Sequence, residues 1–131
     1  IENLVLHLKS IAPEGIDLYF DNVGGEFLES AIFRMKNFGK IIICGRISQM
    51  NDPSHALKNM AHVLVKRLTI KGFLIFDHID ETNDFENDMK KWIMDEQIKW
   101  KETIYEGLEN APKAFIDMLD GKNIGKMLVK I

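Results

Sequence analysis

Leu4, Leu8 and Ile11 recur at helical spacing, and Pro13 with Gly15 closes that pattern. Residues 16–23 (IDLYFDNV) then read as a strand, followed by the turn signal Gly24-Gly25. Over 25–39 the pairs Phe27/Leu28 and Ala31/Ile32, with Met35, line one face of a second helix. Gly39 sits where a helix C-terminus favours positive φ. Residues 40–44 (KIIIC) form a short, continuously apolar, β-branched run, the pattern of a strand covered on both faces in a parallel sheet. After a loop over 45–53, residues 54–67 predict a third helix, with Ser54 as N-cap and Leu57, Met60 (or Ala61) and Leu64 facing inward. Residues 68–76 read as a third strand.

Asn83 with Glu86 three residues later has the form of a capping box, opening a helix whose face is Phe85, Met89, Trp92 and Ile93. A short strand over 103–105 follows. A last helix has Asn110 as cap, Pro112 in its first turn and Gly121 as stop, and 126–131 closes the chain as a strand. Alternating helices and strands predict an α/β fold with a mainly parallel sheet.

At 131 residues a single domain is expected, and 46% hydrophobic with 28% charged residues describes an ordinary globular chain. A net charge of −3 argues against a dedicated nucleic-acid or anionic-membrane binder. No apolar run approaches the ~18 residues of a membrane-spanning helix, and the opening IENLVLHLKS has no signal-peptide pattern. The single cysteine, Cys44, forms no internal disulfide, so a reducing, cytoplasmic setting is expected. By its place on an apolar run Cys44 reads as a small buried hydrophobe. The methionines at 35, 60, 89, 94 and 118 read as core fillers.

The local chemistry is sparse. There is no G-x-G-x-x-G, no phosphate-cradling G-x-x-x-x-G-K-[ST] and no nucleophile elbow; Gly24-Gly25 and Gly121 to Gly125 have the wrong spacing for a dinucleotide turn. The histidines at 7, 55, 62 and 78 and Cys44 lack metal-ligand spacing. His55 and His62, seven apart on one expected helix, read as surface or interface residues. Lys90-Lys91 and the run 99–101 read as solvated helix faces and ends.

Read as one piece, FDNVGGEFLESAIFRMKNFGKIIICGRIS resembles the medium-chain dehydrogenase/reductase superfamily. More narrowly it resembles the zinc-independent branch of prostaglandin and leukotriene reductases and plant alkenal double-bond reductases. GFLIF (72–76), 99–121 and NIGKMLVKI (123–131) fit as well, in order. The resemblance implies the later half of a Rossmann-type doubly wound domain with its C-terminal helix and strand. On that reading an N-terminal catalytic domain, the Gly-rich βαβ turn and most of the substrate pocket lie upstream of Ile1, and the chain, which opens without methionine, is an excerpt.

The implied cofactor is NADPH, with no metal, and the implied reaction is reduction of the C=C bond of an α,β-unsaturated aldehyde or ketone. Residues carried over to the cofactor site are Asn22 at a strand end, the loop Cys44, Gly45, Arg46, Ile47, Ser48, Gln49 and Met50, the strand end Phe73, Leu74 and Ile75, and Asn123 in the C-terminal segment. Gly45 allows close approach of backbone, and Ser48 offers a hydroxyl. Where the family commonly has a tyrosine thought to place or protonate substrate, this chain has Met50, whose thioether donates nothing. Each residue also has a plainer reading: Asn22 and Asn123 as turn residues, Ser48 and Arg46 as solvated loop residues, Phe73 to Phe76 as core strand. No catalytic residue is assigned.

Partners implied are a small enone or enal and a second copy of the chain, paired along the strand over 68–76, with no nucleic acid and no membrane. The alternatives are a quinone-reductase-like NADPH oxidoreductase, a non-catalytic dimerisation module, and an unrelated flavodoxin-like or receiver domain. The NVGG and CG(x)IS strings with NIGK favour the alkenal branch, and by itself the 131-residue chain is expected to be inactive.

Overall fold

A computed structural model describes residues 1–49 and 55–131. Met50 and the expected cap Ser54 lie outside the described residues. The chain divides into two compact units, Ile1–His78 and Ile79–Ile131.

In the first unit, α1 (Glu2–Ile11) leads into β1 (Ile16–Asp21), α2 (Gly25–Arg34), β2 (Met35–Ile43), a 3-10 turn (Ile47–Gln49), α3 (Ala61–Lys66) and β3 (Thr69–Gly72). The strands form one parallel sheet in the order β1-β2-β3. The register pairs Phe20 with Ile42 and Asp21 with Ile43 on one side, and Ile43 with Gly72 on the other. Strand alternation sends Tyr19, Asp21, Ile41 and Ile43 to one face and Leu18, Phe20 and Ile42 to the other. The first face is the core: Leu28 and Ile32 of α2 pack with Met35 and Ile41, and Tyr19, Ile43, Leu57, Val63 and Ile70 close around them. Ile32 and Ile41 are wholly buried, and truncating either to alanine removes about 2–5 kcal/mol.

Several expected boundaries move. Helix α2 stops at Arg34, not Gly39, because Met35 already pairs with Ile16 in the sheet. The register then jumps to Leu18 opposite Lys40, so 36–39 bulge out of the ladder. Phe38, not Gly39, takes the positive φ (64°). Gly39 is needed for space instead: a Cβ there would lie 2.5 Å from Met35 Cε and 3.1 Å from the Lys36 carbonyl oxygen.

The helix expected over 54–67 is only Ala61–Lys66. Leu57 still reaches the core from before the helix, but Leu64 is 79% exposed and Met60 faces solvent, while Val63 packs inward. His55 and His62 therefore share no helix. His55 Nε2 meets Glu29 Oε2 at 3.0 Å, and His62 stands edge-on to Phe33.

The α2 termini are secured by side chains. At its C-terminal end, Lys66 Nζ donates to the carbonyls of Phe33 (2.6 Å) and Met35 (2.8 Å). Burial, and then the nearby Arg34 charge, holds that ammonium below the ordinary lysine range. Arg34 Nη2 donates to the carbonyls of Ala12 and Pro13, fixing the turn between α1 and β1. Asn59 Nδ2 donates to the Glu29 carbonyl at 2.6 Å, drawing the segment before α3 onto α2.

In the second unit, α4 (Thr82–Met94) is followed by β4 (Glu102–Glu106), α5 (Ala111–Leu119) and β5 (Lys126–Lys130), with β4 and β5 paired in parallel. The expected capping box does not form. Asn83 lies inside α4, Thr82 Oγ1 donates to Ile79, and Glu86 pairs with Lys90. The expected inner face of α4 is open within this unit, with Phe85 60% exposed. Asn110 stands at the N-cap of α5, but its side chain reaches back to the Glu106 carbonyl instead of capping. Asp117 of α5 is nearly buried and accepts from Tyr105 Oη, Lys113 Nζ and Lys122 Nζ, which ties α5 to β4 and to the turn beyond it. Of the five methionines expected in the core, Met35 is buried, whereas Met60, Met94 and Met118 are exposed.

Candidate functional site

Parallel strands deliver their carboxyl ends to one rim, where open α/β sheets hold ligands. Here the rim of the first unit is built by Asp21 at the end of β1 with Asn22–Gly24 beyond it, Cys44–Ser48 after β2 and Phe73 after β3.

Asp21 organises it. Its carboxylate is fully buried at the last residue of β1 and accepts from the amides of Val23 (3.1 Å) and Gly24 (3.0 and 3.1 Å) and from Tyr19 Oη (3.4 Å). This is an Asx-type turn, in which an aspartate receives the amides just beyond it. It allows Gly24, at φ 71°, to open α2. Burial, then the Asp21 charge and hydrogen bond, push the Tyr19 phenol up to about 12. Asp21 was not among the residues singled out, although the string D-N-V-G-G carries the turn signal that identifies it.

The loop after β2 is laced to this turn by backbone. Cys44 N and Gly45 N both donate to the Asp21 carbonyl (2.8 and 3.0 Å), Ile47 N to Asn22 (3.2 Å) and Ser48 N to Val23 (3.1 Å). The Ser48 hydroxyl donates to the same Val23 carbonyl at 2.6 Å. Two glycines permit the contact. A Cβ on Gly45 would stand 3.0 Å from the Asn22 carbonyl oxygen, and one on Gly25, at φ 57°, would stand 2.9 Å from Ser48 Oγ. Phe73 joins by donating its amide to the Ile43 carbonyl at 2.9 Å.

The structure thus brings Asn22, Cys44, Gly45, Arg46, Ile47, Ser48 and Phe73 to one rim. Asn22, Arg46, Ile47 and Ser48 are exposed there. Cys44 is exposed as well, contrary to the expected buried hydrophobe, because β2 ends at Ile43 and the cysteine already lies in the loop. The strand expected over 68–76 ends at Gly72, so Leu74 and Ile75 are exposed residues of the following turn. The backbone of Gln49 closes the 3-10 turn. Asn123 belongs to the second unit, where its Nδ2 donates to the Gly125 carbonyl at 2.7 Å in the turn before β5. Among the described residues no group of three or more His, Cys, Asp or Glu could hold a metal ion, and no helix is long and apolar enough to cross a membrane.

Comparison with known proteins gives this arrangement its family. The family model described as zinc-binding dehydrogenase matches residues 2–95. The chain is 47% identical over 126 residues to a zinc-type alcohol dehydrogenase-like protein of Schizosaccharomyces pombe, covering 95% of this chain and 36% of that protein. It is 42% identical to bovine prostaglandin reductase 1, covering 99% of this chain and 40% of that one. The crystal structure of CurA from Vibrio vulnificus in complex with NADPH superposes with a TM-score of 0.82 at 38% identity, over 96% of this chain and 40% of CurA. The chain therefore spans about two-fifths of the length of these relatives. It belongs to the zinc-binding dehydrogenase family, within the medium-chain dehydrogenase/reductases.

Proposed function

We propose that this chain forms the later half of the nucleotide-binding domain, with its C-terminal tail, of a cytoplasmic, zinc-independent NADPH-dependent reductase that saturates the C=C bond of α,β-unsaturated aldehydes or ketones. The observation that carries the reading is the rim where Gly45 packs on the Asn22 backbone at the ends of three parallel strands. The similarity to a prostaglandin reductase and to the NADPH-bound CurA supports the substrate and cofactor classes.

The residues present fit the nicotinamide part of such a cofactor. Glycines at 25 and 45 keep the rim low, and the exposed Asn22 amide offers both a donor and an acceptor. The Ser48 hydroxyl, donating to Val23, turns its lone pairs outward as acceptors. When bound, the dihydronicotinamide supplies the hydride. The chain's own residues orient it, from Gly45 to Ser48 as a backbone shelf and Phe73 as an apolar edge. Asn123 is carried in the same proposal as a contact from the C-terminal turn. So is a homodimer joined along the free edge of β3.

Calorimetry of NADPH and NADH binding, paired with turnover of an enone, tests the reading. The full-length reductase is expected to prefer NADPH and to reduce the enone, whereas the 131-residue chain alone is expected to bind NADPH at millimolar strength or weaker and to turn over nothing. A full-length protein that ignores NADPH and enones would sink the proposal. Tight, NADPH-selective binding by the 131 residues alone would overturn the division of the site between this chain and the rest.

A further inference from the structure

We propose that the groove between α1 and α2 is a binding site for a small apolar molecule ending in an ammonium group. It shares no lining residue with the rim at the strand ends, and the proposal stands whether or not that rim holds a nucleotide. The groove measures about 560 Å3, the size of a small-molecule site. Ile1, Val5 and Leu6 line it from the α1 side, and Glu29 and Phe33, four apart on one side of α2, line it from the other. Leu6 is 58% exposed and Phe33 47%, so an apolar body has open surface to cover.

Glu29 carries a carboxylate into this apolar lining. Its side chain is only 7% exposed, and His55 Nε2 meets it at Oε2, 3.0 Å away. A carboxylate has about four acceptor positions, so this contact leaves room for a further donor. Asn59, which also lines the groove, supplies a second acceptor. Its Nδ2 is committed to the Glu29 carbonyl at 2.6 Å, which sets the way the amide is turned. Its Oδ1 is buried and has no hydrogen-bond partner among the described residues. Buried polar atoms in folded proteins are nearly all partnered, and leaving one unmade is costly. An orphaned acceptor beside a buried carboxylate points to a donor that comes from outside these residues.

The acceptors set the chemistry of the ligand. The lining holds two carboxylates, those of Glu29 and the exposed Glu2, and no cationic side chain. Lys66 approaches the Phe33 ring at 5.8 Å, but its ammonium is committed to the carbonyls at the end of α2. An anion is therefore repelled here, and a buried negative charge is left to be matched. An ammonium brings three N–H donors and no acceptor, which suits Glu29 and Asn59 Oδ1 together. Bonds from a charged donor are also the stronger ones.

The test is made on the full-length protein with n-hexylammonium chloride, and with n-hexanol and sodium hexanoate as controls of equal length. Binding is followed by the resonances of the Asn59 side-chain amide and the Phe33 ring. Hexylammonium is expected to shift both saturably, hexanol to bind about tenfold more weakly, and hexanoate to leave them unmoved. Glu29→Gln keeps the shape of the side chain and removes its charge. It is expected to weaken hexylammonium about tenfold and to leave hexanol unchanged. Leu6→Trp, at an exposed position of α1, fills the groove without touching the pair of Glu29 and His55, and is expected to abolish binding of both. Hexanol or hexanoate binding as tightly as hexylammonium would overturn the assignment. So would hexylammonium binding undiminished by Leu6→Trp or by a folded Glu29→Gln. Resonances that hexylammonium does not move, as when the full-length protein's own chain fills the groove, would overturn it too.

Discussion

Gly45 lies against Asn22 so closely that a β-carbon on it would stand 3.0 Å from the Asn22 carbonyl oxygen, a backbone atom with no rotamer to yield. The contact fixes the distance between the turns after β1 and β2. Gly45→Ala is expected to destabilise the protein by about 1–3 kcal/mol, the scale of overpacking, and to weaken NADPH binding to the full-length enzyme. Gly72→Ala is the control: a Cβ there meets nothing within 4 Å, so its effect should stay within about 0.5 kcal/mol. Denaturant unfolding of the two variants side by side, with equal effects, would show that crowding at Gly45 is not what matters.

Asp21 carries the turn that Gly45 rests on. Replacing it with alanine leaves the Val23 and Gly24 amides without their acceptor, the Gly24 bond being buried, at a cost of about 1–3 kcal/mol for each amide that water does not reach. Asp21→Asn keeps one acceptor oxygen and should lose less than Asp21→Ala. Urea midpoints at constant slope measure both. An alanine variant as stable as the asparagine one would mean that these amides find other partners.

The strands were the most legible part of the chain. Residues 16–21, 40–43 and 126–130 are apolar or alternating runs bounded by turn residues, and each forms a strand. Helix ends were harder, because Met35 continues the spacing of α2 and only its pairing with Ile16 takes it into the sheet. The α3 region was harder still: Leu57, Met60 and Leu64 share a helical stripe, yet the segment 55–60 is tied to α2 by His55 and Asn59 and does not join the helix. For the site, Asn22, Gly45 and Ser48 came from the family resemblance, their types alone reading as turn and loop residues, and the structure sets them together on the rim at the strand ends. Asp21 escaped because a carboxylate closing an apolar strand looks like the start of solvent.

Tyr19 should make the first unit sensitive to alkali. Its phenol is pushed up to about 12, first by burial and then by Asp21, whereas an unfolded tyrosine ionises near 10 (roughly). A group whose folded pKa is raised contributes fully below the unfolded value and loses that contribution as pH rises through the folded one. Stability is therefore expected to fall between about pH 10 and 12, and Tyr19→Phe should lack that part of the fall. Unfolding midpoints of the two proteins across this range decide it, and parallel curves would remove Tyr19 as the cause.

Asp117 should give the second unit the opposite sensitivity. The Lys113 ammonium, then that of Lys122, then the Tyr105 hydroxyl hold its carboxyl well below the usual carboxylate range, at 2.7 Å for both Lys122 Nζ and Tyr105 Oη. A lowered folded pKa contributes stability above the unfolded value and loses it as pH falls toward the folded one. The tie between α5 and β4 is then at full strength at neutral pH and weakens below about pH 4. Asp117→Asn is expected to be less stable than wild type at pH 7 and to show a flatter acid limb, the two curves converging as the wild-type carboxylate is protonated. Far-ultraviolet circular dichroism of acid unfolding measures this, and a variant that loses stability below pH 4 as steeply as wild type would assign the acid sensitivity to other carboxylates.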